Sequence, residues 1–196
     1  MNEQDLFILA NTTLKGVIDQ IRPGQWDMTM PPDFATSDPG KSITLREVVN
    51  YHAYDDAWVP DILAGRTMAE VGQDAFKGDL LGDDPKASFA RIVAAAVAAA
   101  RGLDDPDRTV HISYGDFKAR EYLRDISTFR GLRVHDIAAA IGVDSTLPPE
   151  LTQGLWDQIA PHAEEWRTIG VFGPKVEVPD DAPLQDRLLG LTGRQP

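Results

Sequence analysis

The sequence predicts an all-α fold, an antiparallel four-helix bundle with an additional C-terminal helix and a short extended tail. Apolar residues recur at three- and four-residue steps in four long segments, which is the period of amphipathic helices. Residues that cap or break helices lie at the ends of these segments. No repeat, low-complexity tract or linker interrupts the chain, so residues 1–196 are predicted to form a single domain.

The first two predicted helices have well-marked ends. The first covers about residues 5–21 and stops at a Pro-Gly pair. The second starts at Thr44, where the threonine hydroxyl and the Glu47 carboxylate can form a capping box. Gly65 is the expected end of this helix.

The later helices follow the same rules. An alanine-rich third helix is predicted over residues 86–101, and a fourth helix over residues 117–141 starts at Asp116 and ends at Gly142. The other predicted elements are a short extended piece at 109–113, a fifth helix from about 148 with a kink at Pro161, an extended tail over 170–183 and a last helix over 184–191.

Composition excludes several classes of function. A net charge of −12 repels nucleic-acid phosphates and anionic lipids, and no cluster of Lys and Arg compensates for it. The absence of cysteine excludes disulfides, thiolate metal ligands and a cysteine nucleophile. No apolar run is long enough to span a membrane, and the N-terminus does not resemble a signal peptide. We therefore expect a cytoplasmic protein without a nucleic-acid or membrane partner.

One charged residue, Arg133, falls on the predicted apolar stripe of the fourth helix. A buried guanidinium keeps its charge, so it requires an anionic partner or an anionic ligand. The internal partner would be Asp136, Asp125 or an aspartate of the second helix, and in a further alternative the side chain reaches the edge of the core. The other members of the predicted stripe are Tyr122, Ile126, Phe129, Ile137 and Ala140 or Ile141.

Polar residues also interrupt the apolar pattern of the second helix. Tyr51, Asp55 and Trp58 share one face of this helix, and His52 and Asp56 share another. His52 with Asp56 can supply two metal ligands, an oriented base or a structural pair. No metal motif of histidines at fixed spacing and no phosphate-binding glycine loop is present in the sequence.

Several segments together resemble the metal-binding domain family of mycothiol-dependent maleylpyruvate isomerase, in the DinB-like superfamily. The resemblance implies a DinB-like four-helix bundle with a divalent metal in its core. This metal would be held by a histidine of the second helix and by two residues of the fourth helix, an acidic residue and a histidine four positions later. It would serve isomerase or thiol-transferase chemistry. The segments that carry the resemblance are AGRTMAEVG at 64–72, GDDP at 82–85, TVHISYGDF at 109–117, DIAAAIG at 136–142, IGVFGPKVEVP at 169–179 and PLQDRLLGLTG at 183–193.

The chain departs from this family at the positions that would hold the metal. The resemblance aligns Tyr51 with the histidine of the second helix, and Phe129 and Arg133 with the pair on the fourth helix. We therefore expect no cofactor. If the helix register is shifted so that His52 enters the site, zinc or nickel bound by His52, Asp56 and His135 remains the alternative.

Three functions stay open from the sequence. The first is binding of a small anionic molecule in the bundle core, without a metal. The second is a metal-dependent thiol transferase or isomerase, and the third is a non-catalytic interaction protein. The sequence leaves the oligomeric state open. The residues expected to bind the anionic molecule are Arg133, Tyr51, His52, Asp55, Trp58 and Phe129.

Overall fold

A computed structural model describes residues 1–34 and 42–196 and shows a predominantly helical chain. The predicted α class is confirmed. One antiparallel hairpin is also present. The elements are α1 (Glu3–Ile18), two 3₁₀ turns (Pro23–Gln25 and Pro32–Phe34), α2 (Leu45–Leu63), α3 (Met68–Val71), α4 (Pro85–Arg101), β1 (Thr109–Ile112), β2 (Gly115–Lys118), α5 (Ala119–Ile141), α6 (Pro149–Ile159), α7 (Ala163–Thr168) and α8 (Leu184–Leu191).

The helix ends follow from local hydrogen bonding. At the start of α2, the Glu47 amide donates to the Thr44 hydroxyl at 3.2 Å, and the Thr44 amide donates to the Glu47 carboxylate at 2.7 Å. This confirms the capping box. Gly142 ends α5 with φ of 73°, in the left-handed region that glycine adopts without steric cost.

Three predicted boundaries are wrong. The first helix ends at Ile18 instead of about residue 21. The predicted start of the fourth helix at Asp116 falls inside β2, because residues 115–118 pair with 109–112 and the helix begins only at Ala119. The predicted fifth helix is broken rather than kinked at Pro161. Its two parts are α6 and α7.

The helices pack around α1, which contacts α4 and α5, and α2 packs on the other side of α4. α6 covers α5 and α1, and α8 covers α6. α2 and α5 run antiparallel with a cleft between them, which leaves this side of the bundle open. Among the described residues, no helix is long and apolar enough to cross a membrane.

The predicted buried stripe of α5 is confirmed at Tyr122, Ile137 and Ile141 and is wrong in the middle of the helix. Phe129 is 50% exposed, and the Arg133 side chain lies at the edge of the core with 21% exposure. The arginine inside the core is Arg130, with 1% exposure. The reason is that the face of α5 around Ser127 and Gly131 packs against α1 and α6, so Phe129 and Arg133 line the cleft instead.

Close packing of α6 on α5 depends on Gly131. A Cβ atom at this position would lie 2.5 Å from Leu155 Cδ1, and Leu155 is fully buried. We expect Gly131→Ala to destabilise the fold by about 1–3 kcal/mol. In the matched control Gly16→Ala, the new methyl group meets no atom within 4 Å, so this variant should be up to about 1 kcal/mol more stable. Urea unfolding measures both changes. Equal effects of the two variants would contradict the close packing.

Candidate functional site

The candidate site is the cleft between α2 and α5, with a volume of about 740 Å³. The hairpin β1–β2 closes one end, and Gly170 and Val171 contribute to the lining. The structure brings to this cleft all six residues expected to bind a ligand, which are Tyr51, His52, Asp55, Trp58, Phe129 and Arg133.

Aromatic side chains form about a third of the lining of this cleft. Trp58 packs edge-on against Phe76 with the ring centroids 4.8 Å apart, and Tyr54 lies beside it. Among the described residues, six large hydrophobic side chains are exposed, and four of them line the cleft. Exposed apolar surface is therefore concentrated here, which is typical of a binding site. The four residues are Tyr51, Tyr114, Phe129 and Val171.

The floor of the cleft holds a buried polar network centred on Arg130. Its Nε and Nη2 donate to Asp56 Oδ1 at 3.3 and 3.1 Å, and Nη2 also donates to the His52 carbonyl at 3.1 Å. Nη1 contacts His52 Nδ1. Asp55 lies on the cleft side of the same guanidinium, with Oδ2 at 3.5 Å from Nη2. The network ties α2 to α5 across the cleft floor.

Burial and the fixed charge of Arg130 determine the protonation of this network. Burial raises the pKa of Asp56 to about 6, although Arg130 acts in the opposite direction. Burial and the neighbouring guanidinium hold the pKa of His52 well below 6.5, so this imidazole is neutral at pH 7 and its Nδ1 can accept from Arg130. With both carboxylates ionised, Asp55, Asp56 and Arg130 carry one net negative charge.

Arg133 occupies a different position from the one predicted. Its Nη1 donates to Asp136 at 3.2 Å, and its guanidinium stacks on the Phe34 ring at 4.3 Å from the centroid. Asp136 also accepts from Arg194 at 2.8 and 3.0 Å. The internal pair with Asp136 that the sequence left open is therefore present, and Arg133 lies on the cleft wall instead of in the core.

The alternative metal ligands do not come together. His52 Nδ1 is in contact with Arg130, and Asp56 uses one carboxylate oxygen for the same guanidinium. His135 is half-buried and hydrogen-bonds the Ser145 carbonyl at 3.1 Å, outside the cleft lining. In the described part of the chain, no three His, Asp or Glu side chains form a group that could hold a metal ion.

Sequence reasoning missed Arg130, Tyr114 and several apolar residues of the cleft. Arg130 was overlooked because it lies one position from the predicted apolar stripe, although the pairing of His52 with Asp56 four residues apart was a signal for a buried polar partner. Tyr122 and Asp125 were predicted only as a stripe member and as a possible partner of Arg133, and no local pattern marks Tyr114, which comes from the hairpin.

Comparison with known proteins returns no relative for this chain. No family model, no curated protein and no solved structure matches it.

The role of Arg130 predicts a large loss of stability on its removal. Arg130→Met leaves the Asp56 carboxylate buried without its partner, which should cost about 3–5 kcal/mol. The control Arg133→Met removes a partly exposed pair and should cost about 1 kcal/mol or less. Urea unfolding distinguishes the two, and adding Asp56→Leu to Arg130→Met should recover most of the loss. If Arg130→Met and Arg133→Met lose equal stability, Arg130 is not the charged residue on which the core depends.

The low pKa of His52 predicts a pH dependence of stability. Below pH 6.5 the unfolded chain binds a proton at His52 that the folded protein does not, so His52 reduces stability by about 1.4 kcal/mol per pH unit as pH falls. Asp56 acts in the opposite direction, since its raised pKa favours the folded state as pH falls below about 6. Comparing the wild type with His52→Gln isolates the contribution of His52 to the pH dependence of stability.

We expect the stability advantage of the wild type over His52→Gln to shrink between pH 6.5 and pH 5. Urea unfolding across this range measures it, and the His52 imidazole resonance should not titrate between pH 7.5 and 6. A stability difference that stays constant over the range would contradict a neutral His52.

Proposed function

We propose that the chain binds a small organic acid with an apolar body in the cleft between α2 and α5, without a metal. The observation that carries the proposal is the concentration of exposed aromatic side chains around a cleft of about 740 Å³. This volume lies within the range of small-molecule sites in proteins, and few convergent polar groups in an apolar cleft are typical of such sites.

The shape of the cleft supports an elongated ligand. Its lining extends along α2 from Val48 to Ile62, which corresponds to about 20 Å of helix. Arg133 lies at the Val48 end, where Asp136 and the Phe34 ring hold the guanidinium in place. A guanidinium fixed in this way suits a carboxylate, because little side-chain entropy is lost on binding.

We also propose that the fold is a DinB-like four-helix bundle formed by α1, α2, α4 and α5. The packing of α1 on α4 and α5, and of α2 on α4, supports this arrangement. In it, Tyr51, Phe129 and Arg133, which the family resemblance aligns with metal ligands, line the cleft wall, and His52 and Arg130 lie at its buried floor.

Removal of the Arg133 charge tests the proposed acid site. The probe is 8-anilinonaphthalene-1-sulfonate, an aromatic anion whose fluorescence rises in apolar clefts, with aryl carboxylates as competitors. Arg133→Met should weaken the binding of the dye and of the aryl carboxylates by about tenfold, because a charge-assisted hydrogen bond is lost. Arg187→Met is the matched control, since Arg187 also stacks on an aromatic ring, that of Trp156, away from the cleft. Identical affinities in the two variants would refute the proposal.

Metal analysis tests the metal-free part of the proposal. A dication beside Arg130 would meet its fixed positive charge in a buried site, so we expect substoichiometric zinc and nickel in protein purified without a histidine tag. Treatment with EDTA should leave the melting temperature unchanged. Stoichiometric metal that is lost in His52→Ala would favour the metal-dependent transferase or isomerase instead.

A further inference from the structure

A carboxylate in the middle of the cleft indicates a second polar group on the ligand. Asp55 lines the cleft, and 30% of its side chain is exposed. Its contact with Arg130, at 3.5 Å, is longer than the 3.1 Å contact that Asp56 makes with the same nitrogen. Because Asp56 already balances the guanidinium, the charge of Asp55 remains in excess at the cleft floor.

Aromatic rings line the same cleft as this carboxylate. Tyr51 of α2, Tyr114 of the hairpin and Tyr122 of α5 are part of its lining, and so is Asp125 on the opposite wall. A carboxylate in an aromatic cleft suits an organic cation, because aromatic rings and the carboxylate both attract positive charge.

The cationic side chain of the cleft wall is Arg133, on the opposite helix. Arg133 and Asp55 line the same cleft, and Tyr51 of α2 lines it as well. The cleft therefore presents a positive and a negative group on an aromatic wall.

We propose that the ligand of this cleft is a zwitterion, an aryl amino acid whose carboxylate binds Arg133 and whose ammonium group binds Asp55 among the tyrosine rings. This inference rests on the proposed binding of an organic acid at Arg133 and adds the amine and its position.

Three probes on one phenyl scaffold separate the two charges. 4-Amino-3-phenylbutyrate carries both groups, 3-phenylbutyrate lacks the amine, and 2-phenylpropylamine lacks the acid. Isothermal titration calorimetry of the wild type should show the zwitterion binding about tenfold more tightly than the acid alone, and the amine alone most weakly.

Asp55→Asn should abolish the preference for the zwitterion over 3-phenylbutyrate. The matched control is Asp61→Asn, on the same helix, where the carboxylate pairs with Arg66 outside the cleft. This control should keep the preference. Urea unfolding of both variants verifies that they are folded, and Asp55→Glu should restore part of the preference.

The outcomes separate the two proposals. Equal binding of zwitterion and acid by the wild type, or an unchanged preference in Asp55→Asn, overturns the amine site and leaves the acid site standing. Failure of 3-phenylbutyrate to bind, or binding that is insensitive to Arg133→Met, overturns the acid site and with it the zwitterion. Tight binding of 2-phenylpropylamine alone also overturns the zwitterion.

Discussion

The buried ion pair between Arg130 and Asp56 is the interaction on which the arrangement of the cleft depends. Both side chains have at most 1% exposure, and they join the two helices that diverge on the open side of the bundle. Two charges of this kind are costly to remove from water, and the hydrogen bonds of the guanidinium offset part of this cost, although Asp56 Oδ2 accepts none from the described residues. His52 accepts from the guanidinium and remains neutral, because burial and the adjacent positive charge both lower its pKa.

The cleft lies directly above this network, since His52 and Arg130 form part of its lining. Tyr51 and Phe129 are about half exposed, on the sides of α2 and α5 that border the cleft. The same arrangement places Asp55 in the cleft, as the second carboxylate beside a guanidinium that Asp56 already balances.

The proposed relation to the DinB-like family gives this network a chemical interpretation. The positions that the resemblance aligns with metal ligands hold Tyr51, Phe129 and Arg133 in this chain, and the cation beside them is the guanidinium of Arg130, bound by a histidine and a carboxylate. A guanidinium retains a positive charge and bridges the same two helices, but it offers no open coordination position and activates no water. In this proposal the pocket recognises a small molecule instead of supporting metal catalysis. The residues that recognise the small molecule are those of the cleft walls, including Arg133.

The sequence by itself determined the helical class, most of the helix ends and the residues of α2 that face the site. These features depend on local physics, namely the period of apolar residues, the capping box at Thr44 and the left-handed glycine at 142. Tyr51, Asp55 and Trp58 were placed on one face of α2 by the same periodicity, and all three line the cleft.

The tertiary structure alone decided which face of α5 is buried, and therefore which arginine lies in the core. Periodicity gives the angles between side chains on one helix, but the buried angle depends on which neighbours cover that helix. α1 and α6 cover the face around Ser127 and Gly131, Arg130 is buried beside that face against α2, and Phe129 and Arg133 line the cleft. Residues 130 and 133 differ by only about 60° around the axis, so an error of one residue step exchanged a core cation for one at the cleft wall.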